Sequence, residues 1–321
     1  MNSFIAVSVG SFAAAALVTP AAIRFARRVG LVDRPGPLKP QSRSVPYLGG
    51  IGVFAACVVG TATGRPLLIV PLLLAVALGT LDDWRGLSPW LRLLGEVIVG
   101  AVAATVVPTR LGFPIGPIAV AVVTILLVNA VNLLDGLDAL AGAVVAVAGA
   151  AFAALLVDDG RDLALSLACG LAGFLIYNRP PARIYLGDGG SYLLGATLAL
   201  LLAQAWAPGV HHSAGIAALS FVAVPVAEVV FAIVRRVRAH TSILEGDRGH
   251  LYDRLRARGW APVSVTLFYV AVEDLLAGAA LAASAARSVV PALGVACAAA
   301  IGLTILSAAG GALVPDTGPR T

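Results

Sequence analysis

Carboxylates and their polar neighbours recur along this chain at places where packing alone does not ask for them. The first is Leu81-Asp82-Asp83-Trp84-Arg85-Gly86-Leu87. Adjacent carboxylates repel and raise one another's pKa unless a cation stands near; two solvated loop aspartates beside Arg85 are the plainer reading. The second, running from Asn129 through Asn132 and Asp135 to Asp138, spaces four polar groups three apart, which keeps them on one half of a helix. A simple cap needs one such residue, so four point to a watery cavity or a partner. In Ile184-Tyr185-Leu186-Gly187-Asp188-Gly189-Gly190-Ser191, the glycines would let a phosphate or metal approach the backbone. Free amides opening the next helix would favour an anion there, though an N-capped glycine turn has the same composition. The fourth segment, from Glu245 to Arg254, includes Arg248, His250, Tyr252 and Asp253. It suits a loop that grips a diphosphate, or an interfacial helix with snorkelling arginines. A softer fifth segment, Asp33-Arg34-Pro35-Gly36-Pro37-Leu38-Lys39, puts Lys39 within reach of a phosphate or a lipid headgroup.

The elements that must hold these groups are apolar. Of the 321 residues, 59% are hydrophobic and 12% charged, with a mean hydropathy of +0.94. A soluble domain carries about a quarter charged residues, so lipid is the main solvent. The expected fold is an all-α polytopic bundle, one integral membrane domain over 1–321 with ten or eleven spans of about 20 apolar residues each. These fall near 4–23, 47–64, 66–81, 91–107, 117–134, 139–157, 163–178, 190–206, 214–234, 265–285 and 289–309. No basic region precedes the first, which reads as a transmembrane helix and not a cleaved signal. Cys57, Cys169 and Cys297 show neither pairing nor metal-ligand spacing and read as small core residues. Neither a solenoid repeat nor an inverted repeat is visible.

Alternate loops then fall on alternate sides. The segments 24–46, 82–90, 135–138, 179–189 and 235–264, with Arg92 at their border, hold 17 basic residues; the opposite connections hold 4, namely Arg65, Arg110, Arg161 and Arg287. The positive-inside tendency assigns the first set to the cytoplasm. It also accounts for the net charge of +5 better than nucleic-acid binding does. Segment 235–264 is the large cytoplasmic loop, and nearly all the unusual carboxylates lie at this face.

In order and sidedness, these segments resemble the polyprenyl-phosphate N-acetylhexosamine-1-phosphate transferases, glycosyltransferase family 4 of the MraY, WecA and TagO type. The likeness runs from about residue 31 to 259. It implies a bacterial inner-membrane enzyme with a cytoplasmic active site. Such an enzyme moves a sugar-1-phosphate from a UDP-sugar to undecaprenyl or another polyprenyl phosphate and releases UMP, in envelope glycan synthesis. The cofactor implied is Mg²⁺, with Mn²⁺ able to replace it. The partners implied are the two substrates and the bilayer, with no nucleic acid and a homodimer left open. By resemblance, Asp82 and Asp83 match paired aspartates linked to the metal and the lipid phosphate. Asn132, Asp135 and Asp138 match an element near the nucleotide and diphosphate, and Asp188 a metal-binding aspartate, with Asp83 its partner at the metal. Tyr185 takes the place of an aromatic that stacks on uracil, and Lys39 of a basic residue near the phosphates; Arg248 and His250 belong to the substrate loop. Two departures stand out. Relatives of the WecA type carry His-x-His-His where this chain has His250-Leu251-Tyr252-Asp253, and a histidine where it has Gln41.

The same residues support a mechanism on physical grounds. Transfer between two phosphates gathers negative charge at a membrane edge with little screening water. A Mg²⁺ held by Asp188 with Asp82 or Asp83 would offset that repulsion. Direct in-line attack by the lipid phosphate is the first expectation, with Asp82 or Asp83 taking its proton. A two-step route through an aspartyl phosphate is second. The carboxylates alone also admit a cation-coupled transporter, and the missing histidines admit a catalytically degenerate member of the family. Glu96 and Glu228 lie deeper, as structural groups or lining the site; Glu273 and Asp274 have no assigned role.

Overall fold

The computed structural model describes residues 2–34, 44–62, 64–242 and 248–314. Lys39 and Gln41 lie outside the described residues, as do positions 245–247 of the large loop. The described chain forms α1 (Asn2–Val29), α2 (Gly49–Thr61), α3 (Ile69–Arg85), α4 (Pro89–Val106), α5 (Ile115–Leu134), α6 (Leu140–Leu155) and α7 (Asp158–Asn178). It continues through α8 (Gly187–Ala205), α9 (His212–Ser220), α10 (Ala223–Arg238), α11 (Leu251–Ala257), α12 (Pro262–Ala285) and α13 (Val289–Gly310). The first loop adds a short ribbon that sequence reading leaves as coil: β1 (Val32–Asp33) pairs antiparallel with β2 (Val45–Pro46), Val32 opposite Pro46.

Each expected span therefore finds a helix, except that 214–234 is a bent pair. By length and composition seven helices (α1, α3, α4, α5, α7, α12 and α13) can cross a bilayer, and the α9–α10 pair makes eight when taken as one span. The others fall short for identifiable reasons. The 13-residue α2 rises only about 20 Å, and α6 is also short. In α8 the polar start Gly187-Asp188-Gly189-Gly190-Ser191 and Gln204 dilute an otherwise apolar helix whose residues are nearly all buried. The pair α9–α10 bends by 58°. Pro225, in the first turn of α10, has no N–H to continue the ladder from Phe221, which is where the helix breaks.

In lipid there is little hydrophobic force between helices, so close backbone approach through small residues must hold them together. Helix α8 lies centrally, packed on α3, α5 and α2. A Cβ on Gly79 of α3 would strike the backbone of Asp188 and Gly189; one on Gly195 of α8 would strike the backbone of Leu127 and Val128 in α5. Gly50 of α2 and Gly190 of α8 meet backbone to backbone. The first two crossings set the distance between the helices that carry the carboxylates, and the third seats α2 against the start of α8.

Many of the basic residues in segment 235–264 have a structural task. The segment begins with the last turn of α10 and contains α11. Arg235, almost fully buried, donates to the Ala312 carbonyl (2.8 Å), Arg238 to Leu313 (3.2 Å), Arg254 to Val314 (2.9 Å) and Arg258 to Ala309 (3.4 Å). They satisfy carbonyls at and beyond the C-terminus of α13, where the helix leaves acceptors unpaired and partly negative. The cysteine expectation holds in part: Cys57 is buried, Cys169 is half-buried, and Cys297 is exposed on α13. A helix with a wide lipid-facing side has room for a small side chain outside the core.

Candidate active site

Helix α3 extends through Arg85, so Asp82 and Asp83 stand in its last turn and not in the loop after it. Asp82 is buried and closely surrounded by donors: Oδ1 accepts from the Leu87 amide (2.8 Å) and Oδ2 from the Tyr192 hydroxyl (3.0 Å), with the Arg92 guanidinium 3.5 Å from Oδ2. Asp83 reaches across to α8, where its two oxygens accept from the backbone amides of Asp188 (3.1 Å) and Gly189 (3.2 Å). The open helix N-terminus expected to attract an anion is thus occupied by the Asp83 carboxyl group. Gly187 turns with φ +73°, and a Cβ there would press on the Asp83 carboxylate, so the approach needs glycine for both shape and space.

Asp188 lies within the first turn of α8. Its Oδ1 accepts from Asn132 Nδ2 at 2.7 Å, and the same amide lies 3.1 Å from Ser191 Oγ. Helix α5 ends at Leu134, so Asp135 is its C-cap and Asp138 lies beyond it. The expected polar half-helix therefore divides into different roles. Asn129 donates to buried Glu96 (2.7 Å), Asn132 to Asp188, and Asp138 accepts from the Ala182 amide (2.9 Å). Asp135 is half-buried, and loss of water, followed by the charges of Asp188, Asp83 and Asp138, raises its carboxyl well above the ordinary range. The turn is held from behind by buried Asn178, whose amide donates to Ile184 and whose oxygen accepts from Ala139, a residue at φ +65°.

Tyr185 stands beside this group, its ring 6.2 Å from that of Tyr47. Its backbone bonds to Pro46 (2.8 Å) and Gly49 (3.0 Å), joining the ribbon and α2 to the start of α8. Burial, and then the Asp33 carboxylate, raise the Tyr47 phenol above its usual range.

The fourth segment is divided. Arg248 is exposed. His250 is buried, its Nδ1 2.8 Å from Glu228 Oε2, and Tyr269 donates to the other Glu228 oxygen at 2.5 Å. The expected substrate-loop histidine is thus engaged in an inner pair. Glu228 also lines a cleft with Phe231, Phe268, Leu303 and Tyr269, and none of the clustered carboxylates lines it. Glu273 is buried without a hydrogen-bond partner among the described residues, and Asp274 beside it is exposed.

Four aspartates from α3, the end of α5 and the start of α8 thus converge at one end of the bundle. Among the described residues no three carboxylate, imidazole or thiol groups are placed to hold a metal unaided. The profile of glycosyl transferase family 4 matches residues 66–205. The undecaprenyl-phosphate alpha-N-acetylglucosaminyl 1-phosphate transferase of Thermotoga maritima is 32% identical over 232 residues, 71% of this chain and 74% of that one. The chain belongs to this family.

Two further family relatives are similar over comparable lengths. The decaprenyl-phosphate N-acetylglucosaminephosphotransferase of Mycolicibacterium smegmatis is 29% identical over 306 residues, covering 79% of this chain and 75% of its own. The undecaprenyl-phosphate alpha-N-acetylglucosaminyl 1-phosphate transferase of Yersinia pestis is 29% identical over 281 residues, covering 79% and 77%. The family profile begins just before α3 and ends with α8, enclosing every helix that brings an aspartate to the cluster and leaving out the His250 segment. As the family implies, the protein is a multi-pass membrane enzyme that transfers a phospho-sugar.

Sequence reading passed over three members of the site. Tyr192 follows Asp188 by four residues, one helical turn, and that spacing marks it as sharing the Asp188 face. Arg92 enters only because Ser88 caps α4, accepting from the Leu91 amide, and Pro89 starts the helix there. Nothing local marks Tyr47, which arrives through the β1–β2 ribbon.

Proposed function

We propose that the chain transfers N-acetylglucosamine-1-phosphate, or a related N-acetylhexosamine-1-phosphate, from a UDP-sugar to undecaprenyl or another polyprenyl phosphate. UMP leaves, and the reaction takes place at the cytoplasmic face of the bacterial inner membrane. The observation that carries this reading is the convergence of Asp82, Asp83, Asp135 and Asp188 at helix ends, where Asp135 feels the carboxylates of Asp188, Asp83 and Asp138 and the Arg92 guanidinium pairs with Asp82. The names of the relatives support the substrates, and the excess of basic residues around this end supports the cytoplasmic side.

Mg²⁺ fits the chemistry of the donor set, which is hard oxygen from carboxylates and a carboxamide with no thiolate nearby. Mg²⁺ commonly takes one or two carboxylates and completes its shell from phosphates and water, which suits a cluster that closes no cage alone. Asp188 and Asp83 would hold it, with Mn²⁺ as a substitute. When bound, the ion would offset the charge gathered by two phosphates. The chain's own residues do the rest. Asn132 fixes the Asp188 carboxylate, and Tyr192 and Arg92 fix Asp82. Asp83 carries two backbone donors against amide, phenol and guanidinium on Asp82, which leaves it the better acceptor for a proton from the lipid phosphate. Little such help is needed, since that proton has a pKa near about 6. Both oxygens of each paired aspartate are already engaged, which favours direct in-line attack by the lipid phosphate over an aspartyl-phosphate route. Tyr185, Asp135 and Asp138 would bind the nucleotide and diphosphate; Lys39 and Arg248 would approach the phosphates.

The test is turnover in nanodiscs with undecaprenyl phosphate, Mg²⁺ and a panel of UDP-sugars. UMP and a lipid-linked product should appear with at least one donor. Asp188→Asn should lower kcat/KM by about a hundredfold or more. No product from any donor would sink the reading.

A further inference from the structure

Gly136, in the turn that carries Asp135 and Asp138, is exposed and does not have a positive φ. The left-handed backbone that reserves a position for glycine is therefore not the reason for glycine here. Yet a Cβ there would collide with a side chain: the three nearest atoms all belong to the phenol of Tyr252. The same phenol donates to the Leu133 carbonyl at 3.1 Å, at the last turn of α5. One side chain thus grips the turn twice, by a hydrogen bond ahead of Asp135 and by direct contact just after it.

Tyr252 is in turn held from behind. Its ring stacks on that of His250, centroids 5.1 Å apart and planes within 3°. His250 is fixed by Glu228, and Glu228 by Tyr269. All four side chains are buried, and they come from α10, the His250–Tyr252 segment and α12. Buried polar groups linked in this way have one arrangement that satisfies them all, and the alternatives leave a carboxylate or phenol unpaired at substantial cost. A chain so constrained transmits position.

We propose that Tyr252 is a positioning residue for the Asp135–Asp138 turn, held in place by the Glu228–His250 pair, and that it imposes glycine at position 136. The part of this inference that concerns the donor rests on the proposed transferase reading; the part that concerns the turn does not. If Asp135 and Asp138 bind the nucleotide diphosphate, the turn's position sets donor affinity and leaves acceptor affinity alone.

The experiment is a double-mutant cycle of wild type, Gly136→Ala, Tyr252→Ala and the double variant, read in two ways. Hydrogen–deuterium exchange over 133–140 should quicken in Tyr252→Ala, and Gly136→Ala should disturb the turn only while the phenol is present. Kinetically, Gly136→Ala and Tyr252→Ala should each raise the donor KM about tenfold, with the acceptor KM within about a factor of two. In the Tyr252→Ala background the extra methyl should cost less than about threefold. Tyr252→Phe keeps ring and stack and should recover most of the loss, and Glu228→Gln should reproduce part of it. Equal effects of Gly136→Ala in both backgrounds, or equal losses in donor and acceptor KM, would overturn the proposal. If an alanine variant unfolds, Glu228→Gln decides it alone: unchanged exchange over 133–140 in that variant overturns the proposal. If wild type turns over no donor, the transferase reading fails, and the exchange cycle still decides whether Tyr252 places the turn.

Discussion

Asp253 shows how a buried carboxylate reports on its surroundings. Burial pushes it up to about 6, with the neighbouring His250 opposing the rise. The folded protein then holds that proton more tightly than the unfolded chain does. Ionising Asp253 therefore costs stability at all pH values above about 6, and the cost fades as the pH falls toward the ordinary aspartate value near ~3.9. Asp253→Asn should melt above wild type at about pH 8 and together with it at about pH 4; an equal gain at both would show that another cause is at work. Asp188→Asn offers a different contrast. It removes a charge from a group of repelling carboxylates, so activity should collapse while the melting temperature holds or rises. A parallel loss of both would mean that Asp188 is structural.

At the scale of elements, the site is made by glycine crossings. Gly79→Ala should force α3 away from α8, costing about 1–3 kcal/mol in stability and separating Asp82 and Asp83 from Asp188. Gly278 sits on α12 with nothing within 4 Å of an added Cβ. There alanine should be neutral or should stabilise by up to about 1 kcal/mol. Thermal unfolding of the two variants in detergent, with turnover, checks the contrast; equal effects would remove the crossing from the argument. The helices themselves were legible because hydropathy is written in each local stretch. What was not legible is how the stretches meet. The motif around Asp188 reads as a phosphate cradle because its glycines and amides are local facts, whereas Asp83 filling it is a contact between residues 105 apart in sequence. His250 likewise has the composition of a ligand, and only the fold of the segment before α11 back onto α10 reveals Glu228 beside it. The break in the ninth span was marked in sequence by Pro225, although apolar content alone suggested one continuous helix.

For the whole molecule, the distribution of basic residues predicts which way the bundle faces. In a variant with Cys57, Cys169 and Cys297 replaced by alanine, a cysteine at Arg287 should react with an impermeant maleimide from outside the cell. One at Arg183, an exposed residue beside the Asp138–Ala182 contact, should react only in inverted vesicles. The opposite pattern would place the carboxylates away from the compartment that holds nucleotide sugars. The arginine count carried this inference from sequence, but it could not reveal that four of those arginines also serve the end of α13.

The bond from Asp83 to the first amides of α8 bears on how an inactive variant should be read. That carboxylate is at once a candidate reagent and the terminus of the most deeply buried helix in the fold. Its deletion removes both functions together, so a silent Asp83→Ala enzyme has no bearing on proton transfer or metal binding. Asp83→Asn, which retains an oxygen for the amides, comes nearer to separating the two. Inheritance faces the same confounding: a lineage that lost the chemistry would still be held to an acceptor at this position by its architecture.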